Sequence, residues 1–249
     1  MDNYRGMAQT PTRSVPVLDR WPLGKRLFFR FNAQLRRAHR LFRAFPTLPY
    51  RSILDVGGFE GEFTDSVLNY FDPERVWVVE ADPDQAKFLQ TKYTAEPRVK
   101  VVPAAIADRS GTLEFHVNDH RPSSSLMPIA AQTGVIFQKE MNEARVVRVP
   151  AFSLDDLFEQ EALPDIDLMK VDIQGAERLL IQGGTKALKR IRLVFMEVWF
   201  QECYQGSALF PEIQSLMTGS GFKLRSFHEF RKGSDGNLVY SNALYARGF

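Results

Sequence analysis

The sequence predicts an α/β fold built on a mostly parallel sheet. Three observations carry that expectation. Short apolar runs alternate with helix-length segments along most of the chain. The run Ile53-Leu54-Asp55-Val56 ends in a glycine turn, Gly57-Gly58-Phe59-Glu60-Gly61, and a second run, Val76-Trp77-Val78-Val79, ends in Glu80. Buried runs separated by crossover helices read as parallel strands joined with right-handed connections.

Taken in order, the elements support this reading. Residues 1–22 are punctuated by prolines and lack periodicity, which predicts an extended or disordered terminus. Leu27, Phe31, Leu35, Ala38, Phe42 and Phe45 then recur at helical spacing, with Arg26, Arg30, Arg36, Arg37, Arg40 and Arg43 filling much of the remaining surface. That stripe predicts a basic amphipathic helical arm over 23–49, ended by Pro46 and Pro49. The main domain spans 50–249. Its strands are expected at 52–57, 75–81, 99–104, 166–172 and 191–198, and its helices at 61–71, 83–93, 153–161, 175–190 and 209–219. The runs Phe222–Phe230 and Leu238–Ala246 flank Gly233-Ser234-Asp235-Gly236-Asn237, the pattern of a closing hairpin. Further strands are expected at Thr112–Val117 and Val146–Ala151. They flank an irregular segment, 118–145, that is a candidate substrate loop.

Composition sets the bounds. The chain has 249 residues, 44% apolar and 25% charged, as in an ordinary globular protein. The single cysteine, Cys203, excludes an intramolecular disulfide and a cysteine-based zinc site, and fits a reducing cytoplasm. No run approaches a membrane span, and the start lacks the apolar core of a signal peptide. The net charge of +2 hides an asymmetry. Residues 1–51 hold eleven basic and two acidic side chains, whereas the other 198 hold 21 and 28. Such an arm suits its own acidic domain, a dimer partner or an anionic membrane surface, and peripheral membrane contact through 23–45 is one expectation.

The chemistry is read at the strand ends, where open α/β sheets bind ligands. Gly57, Gly58 and Gly61 let the backbone approach a ligand. Glu80, about 20 residues later, is placed to accept hydrogen bonds from ribose hydroxyls. The dinucleotide fingerprint is not met, because its first glycine would fall at Val56. Asp55, directly before the turn, would repel a pyrophosphate and suit a cation. A ribose-bearing cationic ligand without phosphate describes S-adenosylmethionine.

The motif Asp55-Val56-Gly57-Gly58-Phe59-Glu60-Gly61 resembles the first motif of class I methyltransferases. Downstream, Ser153-Leu154-Asp155-Asp156-Leu157 precedes Asp165-Ile166-Asp167-Leu168-Met169-Lys170-Val171-Asp172-Ile173-Gln174-Gly175-Ala176-Glu177, then Gly183-Gly184 and Leu193-Val194-Phe195-Met196-Glu197-Val198. That order resembles the FkbM-type methyltransferases over roughly residues 50–247, with departures at Gln174, where the family usually carries Glu, and at Gly58 and Phe59, where Ala and Asn are common. The resemblance implies a Rossmann-like sheet of seven strands with a C-terminal antiparallel hairpin. It also implies O-methylation of a hydroxyl on a sugar, glycolipid or polysaccharide precursor, or secondary metabolite.

Candidate cofactor residues are Asp55, Gly57, Gly58, Gly61, Glu80, Ala81, Asp82, Ala105, Asp108 and Asp172. Asp82 before Pro83 also reads as a helix N-cap, and Asp108 as part of a plain turn. Asp172 either holds the cofactor ammonium or faces the acceptor. With Glu197 it is a candidate for base or acceptor positioning, since each closes a central strand. Ser123, Ser124, Ser125, Gln174 and Glu177 are candidate acceptor contacts. None of the four histidines lies in a recognisable base motif, and no metal-binding pattern is present. Two other readings fit the same sequence: a nucleic-acid methyltransferase anchored by the basic arm, and a cofactor-binding scaffold without catalysis. The motif Asn-Pro-Pro-Tyr of many amino-methylating nucleic-acid enzymes is absent, which disfavours the first. The arm is also a candidate for homodimer contact.

Overall fold

Strands rich in Val, Ile and Leu, apolar on both faces, are the ones a parallel sheet can bury. β1 (Ser52–Val56), β7 (Ile166–Val171) and β8 (Ile191–Trp199) are of this kind and occupy the middle of the main sheet. Ile53, Leu54, Ile166, Leu168, Met169, Leu193 and Val194 are wholly buried there. Each such side chain contributes about 1.5–3 kcal/mol relative to exposure.

A computed structural model of the chain describes residues 40–248. They divide into two units at Pro49/Tyr50. In the first, Arg40 to Phe42 are helical, and the buried rings of Phe42 and Phe45 meet edge-on, 5.4 Å apart. The expected extended terminus and most of the amphipathic arm, with its proposed membrane and dimer contacts, lie outside the described residues. No helix of the described residues is long and apolar enough to cross a membrane.

The second unit contains the main sheet, ordered β3-β2-β1-β7-β8-β10-β9. Here β2 is Arg75–Glu80, β3 Val99–Pro103, β9 Lys223–Lys232 and β10 Leu238–Ala246. β1, β2, β3, β7 and β8 are mutually parallel, and β10 enters antiparallel between β8 and β9. The chain thus builds outward from β1 in one direction and from β7 in the other. Their junction is the switch point at which ligands bind.

Four helices follow the expected spans: α1 (Glu62–Tyr70), α2 (Pro83–Lys92), α4 (Leu154–Gln160) and α6 (Phe210–Gly219). Asp82 caps α2 through the Asp84 amide at 3.0 Å, and Ser153 caps α4 through the Asp156 amide at 3.0 Å. The expected long helix 175–190 is broken instead. α5 covers only Glu177–Gln182, and a 3-10 turn follows at Ala187–Arg190. Gly183 allows this break, since a Cβ there would overlap the Ala107 carbonyl. The Asp155 carboxylate then accepts the Lys186 and Ala187 amides at 3.0 and 2.7 Å.

A second sheet, β4-β6-β5, carries the larger surprise. β5 (Gly111–Asn118) and β6 (Glu143–Ser153) extend the two expected strands. β4 (Ala105–Ala107) is not among the expected strands and pairs in parallel with Ala151–Ser153. Three residues, all buried, are too few to register as a strand in sequence. The segment 118–145 is also structured, with a 3-10 turn at Arg121–Ser123 and a short α3 at Thr133–Phe137.

Candidate active site

At the switch point the turns after β1 and β7 touch. The Asp172 amide donates to the Val56 carbonyl at 3.0 Å. Gly57, at φ 81°, lies so close that a Cβ would overlap the Asp172 carbonyl oxygen. Only glycine meets both demands, the left-handed backbone and the contact. Gly58 abuts Val78 of β2, and Gly61 abuts the Tyr93 hydroxyl, which brings the start of α1 against the end of α2. Phe59 also has positive φ, 45°, unusual for an aromatic residue. Its amide is held by Glu80 Oε2 at 2.7 Å, while Glu80 Oε1 accepts the Asp82 amide at 2.8 Å. Each Glu80 oxygen retains an accepting lone pair. Burial raises the Glu80 pKa, against the opposing pull of those two amides.

Beneath the turn is a charge cluster whose cation was not anticipated. The Lys170 ammonium, on β7, donates to the Gly57 carbonyl at 2.5 Å. It also lies 3.4 Å from Asp55 Oδ1 and 3.6 Å from Asp172 Oδ2. The other Asp55 oxygen accepts the Thr64 hydroxyl at 2.7 Å. Burial raises the Asp55 pKa, with Lys170 and Thr64 opposing. Burial works against the Lys170 charge, yet Asp172 and Asp55 outweigh it and raise its pKa. The clue in sequence was a lone charge inside the apolar run Leu168-Met169-Lys170-Val171.

On the other side of Asp172 stands an amide. Gln174 Nε2 donates to Asp172 Oδ1 at 2.5 Å and to Glu197 Oε2, on β8, at 3.0 Å. The Tyr204 hydroxyl donates to Gln174 Oε1 at 2.6 Å, and the Ser125 hydroxyl donates to the Gln174 carbonyl at 2.7 Å. Glu197 is pushed well above the usual carboxylate range by burial, then by the charges of Asp172 and Glu177. Glu177, fully enclosed at the start of α5, accepts the Gly175 amide at 3.2 Å, and burial raises its pKa to about 7.

The segment 118–145 is fastened over this region. Ile129 bridges Tyr204, and Ala130 N–H and the Thr133 hydroxyl donate to the Cys203 carbonyl. Arg121 pairs with Asp82 and, at 3.0 Å, with Asp84. The serines expected to meet substrate bond within the protein. Ser123 donates to His120 O at 2.6 Å, Ser124 accepts the Asn118 amide at 3.1 Å, and Ser125 holds the Gln174 turn.

The structure thus gathers Asp55, Gly57, Glu80, Asp172, Gln174 and Glu197 around one junction. Asp82 serves α2 and Arg121, as its capping reading anticipated. Ala81 packs against the small sheet's core, Ala105 is buried in β4, and Asp108 pairs with Arg109 at 3.0 Å. Tyr204 and Lys170 are the two residues that sequence reasoning missed. Tyr204 follows β8 in an irregular stretch with no motif, so nothing local singles it out.

Comparison with known proteins decides the family. The Methyltransferase FkbM domain profile matches residues 55–224. The chain belongs to the FkbM methyltransferase family. It is 27% identical over 214 residues to the 2-O-methyltransferase NoeI of Sinorhizobium fredii, covering 83% of this chain and 85% of that protein. The crystal structure of a methyltransferase FkbM from Methylobacillus flagellatus superposes with a TM-score of 0.50 at 15% identity. That match covers 88% of this chain and 52% of the other, and shows the shared fold. The protein is therefore an S-adenosylmethionine-dependent methyltransferase.

The residues present fit that cofactor. An acidic lining without clustered basic side chains suits a cation bearing ribose rather than a pyrophosphate. Glu80 has accepting lone pairs left for ribose hydroxyls and the partly exposed Asp172 favours positive charge nearby, whereas Asp55, expected to suit the cation directly, is fully buried and meets Lys170 and Thr64 instead. Among the described residues no group of His, Cys, Asp and Glu is arranged to hold a metal.

Proposed function

We propose that this methyltransferase acts on a hydroxyl oxygen of a saccharide or saccharide-bearing acceptor, with Asp172 accepting or orienting the hydroxyl proton. One observation carries the assignment. The Asp172 side chain is 36% exposed, whereas Asp55 is 0%, Glu177 1% and Glu197 6% exposed. Of these four acids, Asp172 is the one an acceptor can reach. Oxygen as the acceptor atom is supported by NoeI, named a 2-O-methyltransferase. The acidic lining also disfavours a polyanion such as nucleic acid at this mouth.

When bound, S-adenosylmethionine supplies a methyl group on a positively charged sulfur. The protein's part is to align the acceptor and take its proton. Lys170 holds one Asp172 oxygen and Gln174 the other, which limits rotation of the carboxylate. Glu80, with the glycine turn, would hold the ribose. Gln174 and Glu177, with the serine-anchored segment 118–145, would shape the acceptor side.

The test is Asp172→Asn, assayed as S-adenosylhomocysteine release with a panel of methyl glycosides. Turnover should fall about 10²-fold or more, the scale of a lost general base. Cofactor affinity, measured by calorimetry, should change far less, since asparagine keeps a carbonyl oxygen for Gln174. Full recovery of rate at saturating cofactor would retire the assignment.

A further inference from the structure

We propose that Gln174 is a positioning residue that makes Asp172 and Glu197 a matched pair of acceptors, giving one amide N–H to each. The inference deepens the proposed function and rests on its reading of Asp172.

The amide's orientation is fixed from three sides. Tyr204 has a single hydroxyl proton and two acceptors in reach, Gln174 Oε1 at 2.6 Å and Ser123 O at 3.1 Å. The Gln174 contact is the shorter by half an ångström, and Ser123 O has a second donor in Asn118 Nδ2 at 2.6 Å, so the Tyr204 proton goes to Gln174. That contact assigns oxygen to the Tyr204 side and nitrogen to the carboxylates. The reverse placement would set the amide oxygen against two carboxylates. The backbone is held as firmly. Gln174 has φ 55°, a costly conformation for a residue with a side chain, and Gly175 follows at 97°. Ser125 clamps the Gln174 carbonyl, and a Cβ on Gly175 would crowd Tyr204 and Ser207.

The surroundings show what a neutral donor does here. Lys170, on β7, faces Asp172 and the Asp55 of β1, and Glu177 faces Asp172 and Glu197 from α5. Cys203, Tyr204 and Tyr240 complete the titratable groups around Glu197. Lys170 reaches Asp172 within ion-pair distance, and Glu197 receives its hydrogen bond from Gln174. An amide that favours the ionised form of each acid lowers the cost of holding them together. A carboxylate at the same position would add a third like charge.

The experiment is a carboxyl carbon-13 titration of the full chain, with the Glu197 resonance assigned by its loss in Glu197→Gln. In Gln174→Glu the Glu197 midpoint should rise so that proton affinity grows about tenfold or more, as expected when a like charge replaces a donor. Gln174→Met keeps the length, gives no N–H, and should raise the midpoint by a smaller amount. If Gln174→Glu does not fold, Gln174→Met decides alone. A Glu197 midpoint unmoved in the folded variants overturns the inference. The reading of Asp172 fails separately, if Asp172→Asn releases S-adenosylhomocysteine as the wild type does while the titration shift stands.

Discussion

The two halves of the site are built by different means. On the proposed cofactor side, from β1 to α2, the glycine turn and Glu80 are local in sequence, Glu80 meeting the Phe59 and Asp82 amides across 21 and 2 residues. On the proposed acceptor side, around β7 and β8, the contacts are made by side chains drawn from distant segments. Gln174 meets Glu197, Tyr204 and Ser125 across separations of 23, 30 and 49 residues. The cofactor side is a local motif that many sequences can share. The proposed acceptor side is a tertiary arrangement, which no short stretch of sequence spells out.

The sharpest way to break the comparison is at the one glycine that belongs to both halves. Gly57→Ala would place a methyl group against the Asp172 carbonyl at a left-handed φ of 81°. Overpacking and backbone strain together should cost about 3 kcal/mol. Cofactor binding should be lost with it, because the β1 turn must move. Urea denaturation and calorimetry on the purified variant check both, and a variant as stable as wild type would show that the junction is loosely packed.

This division also explains what could be read from sequence. The seven strands of the main sheet, the hairpin, the cap at Asp82 and the Glu80 spacing all rest on short-range patterns, and they are found where expected. β4 was hidden because three alanine-rich residues carry no period. The break at Gly183 was hidden because its cause is a contact with the Ala107 carbonyl, far off in sequence. Ser123, Ser124 and Ser125 are expected as acceptor contacts, and their internal partners could not be read from sequence, since free hydroxyls and anchoring hydroxyls are spelled alike. Lys170 was visible as a charge in an apolar strand, but only the fold supplies Asp55, Asp172 and the Gly57 carbonyl as its partners.

A smaller effect tests whether the acceptor side stores acid in its interior. The Glu177 pKa is raised by burial from 4.5 to about 7. Between those values the folded protein keeps a proton that the unfolded chain has released. Its contribution to stability is therefore full below pH 4.5 and is lost as pH rises through about 7. The loss is at most about 3 kcal/mol, by the free energy of each pKa unit. Glu177→Gln stays neutral and keeps a carbonyl for the Gly175 amide, so it should flatten that part of the stability–pH curve. It should also be the more stable protein under alkaline conditions. Denaturant midpoints across this pH window decide it, and an identical slope in both proteins would place the proton elsewhere, on Glu197 or Glu80.

The smallest predicted effect asks whether Glu80 serves the ribose or only its own loop. Both of its oxygens hold backbone amides, those of Phe59 and Asp82, so substitution disturbs the turn as well as any ligand contact. In Glu80→Gln one oxygen becomes an NH2 group facing an N–H, and one of the two amides loses its acceptor. A charged hydrogen bond is worth about 1.5–3 kcal/mol, so cofactor affinity should fall at least tenfold. That drop alone would not separate the two roles. A cycle with S-adenosylhomocysteine and its 2′-deoxy analogue does. If Glu80 accepts from the ribose, removing the hydroxyl should weaken binding to the wild type and change little in the variant. Equal losses in both proteins would leave Glu80 with the loop alone and move ribose recognition to another group at the β2 end.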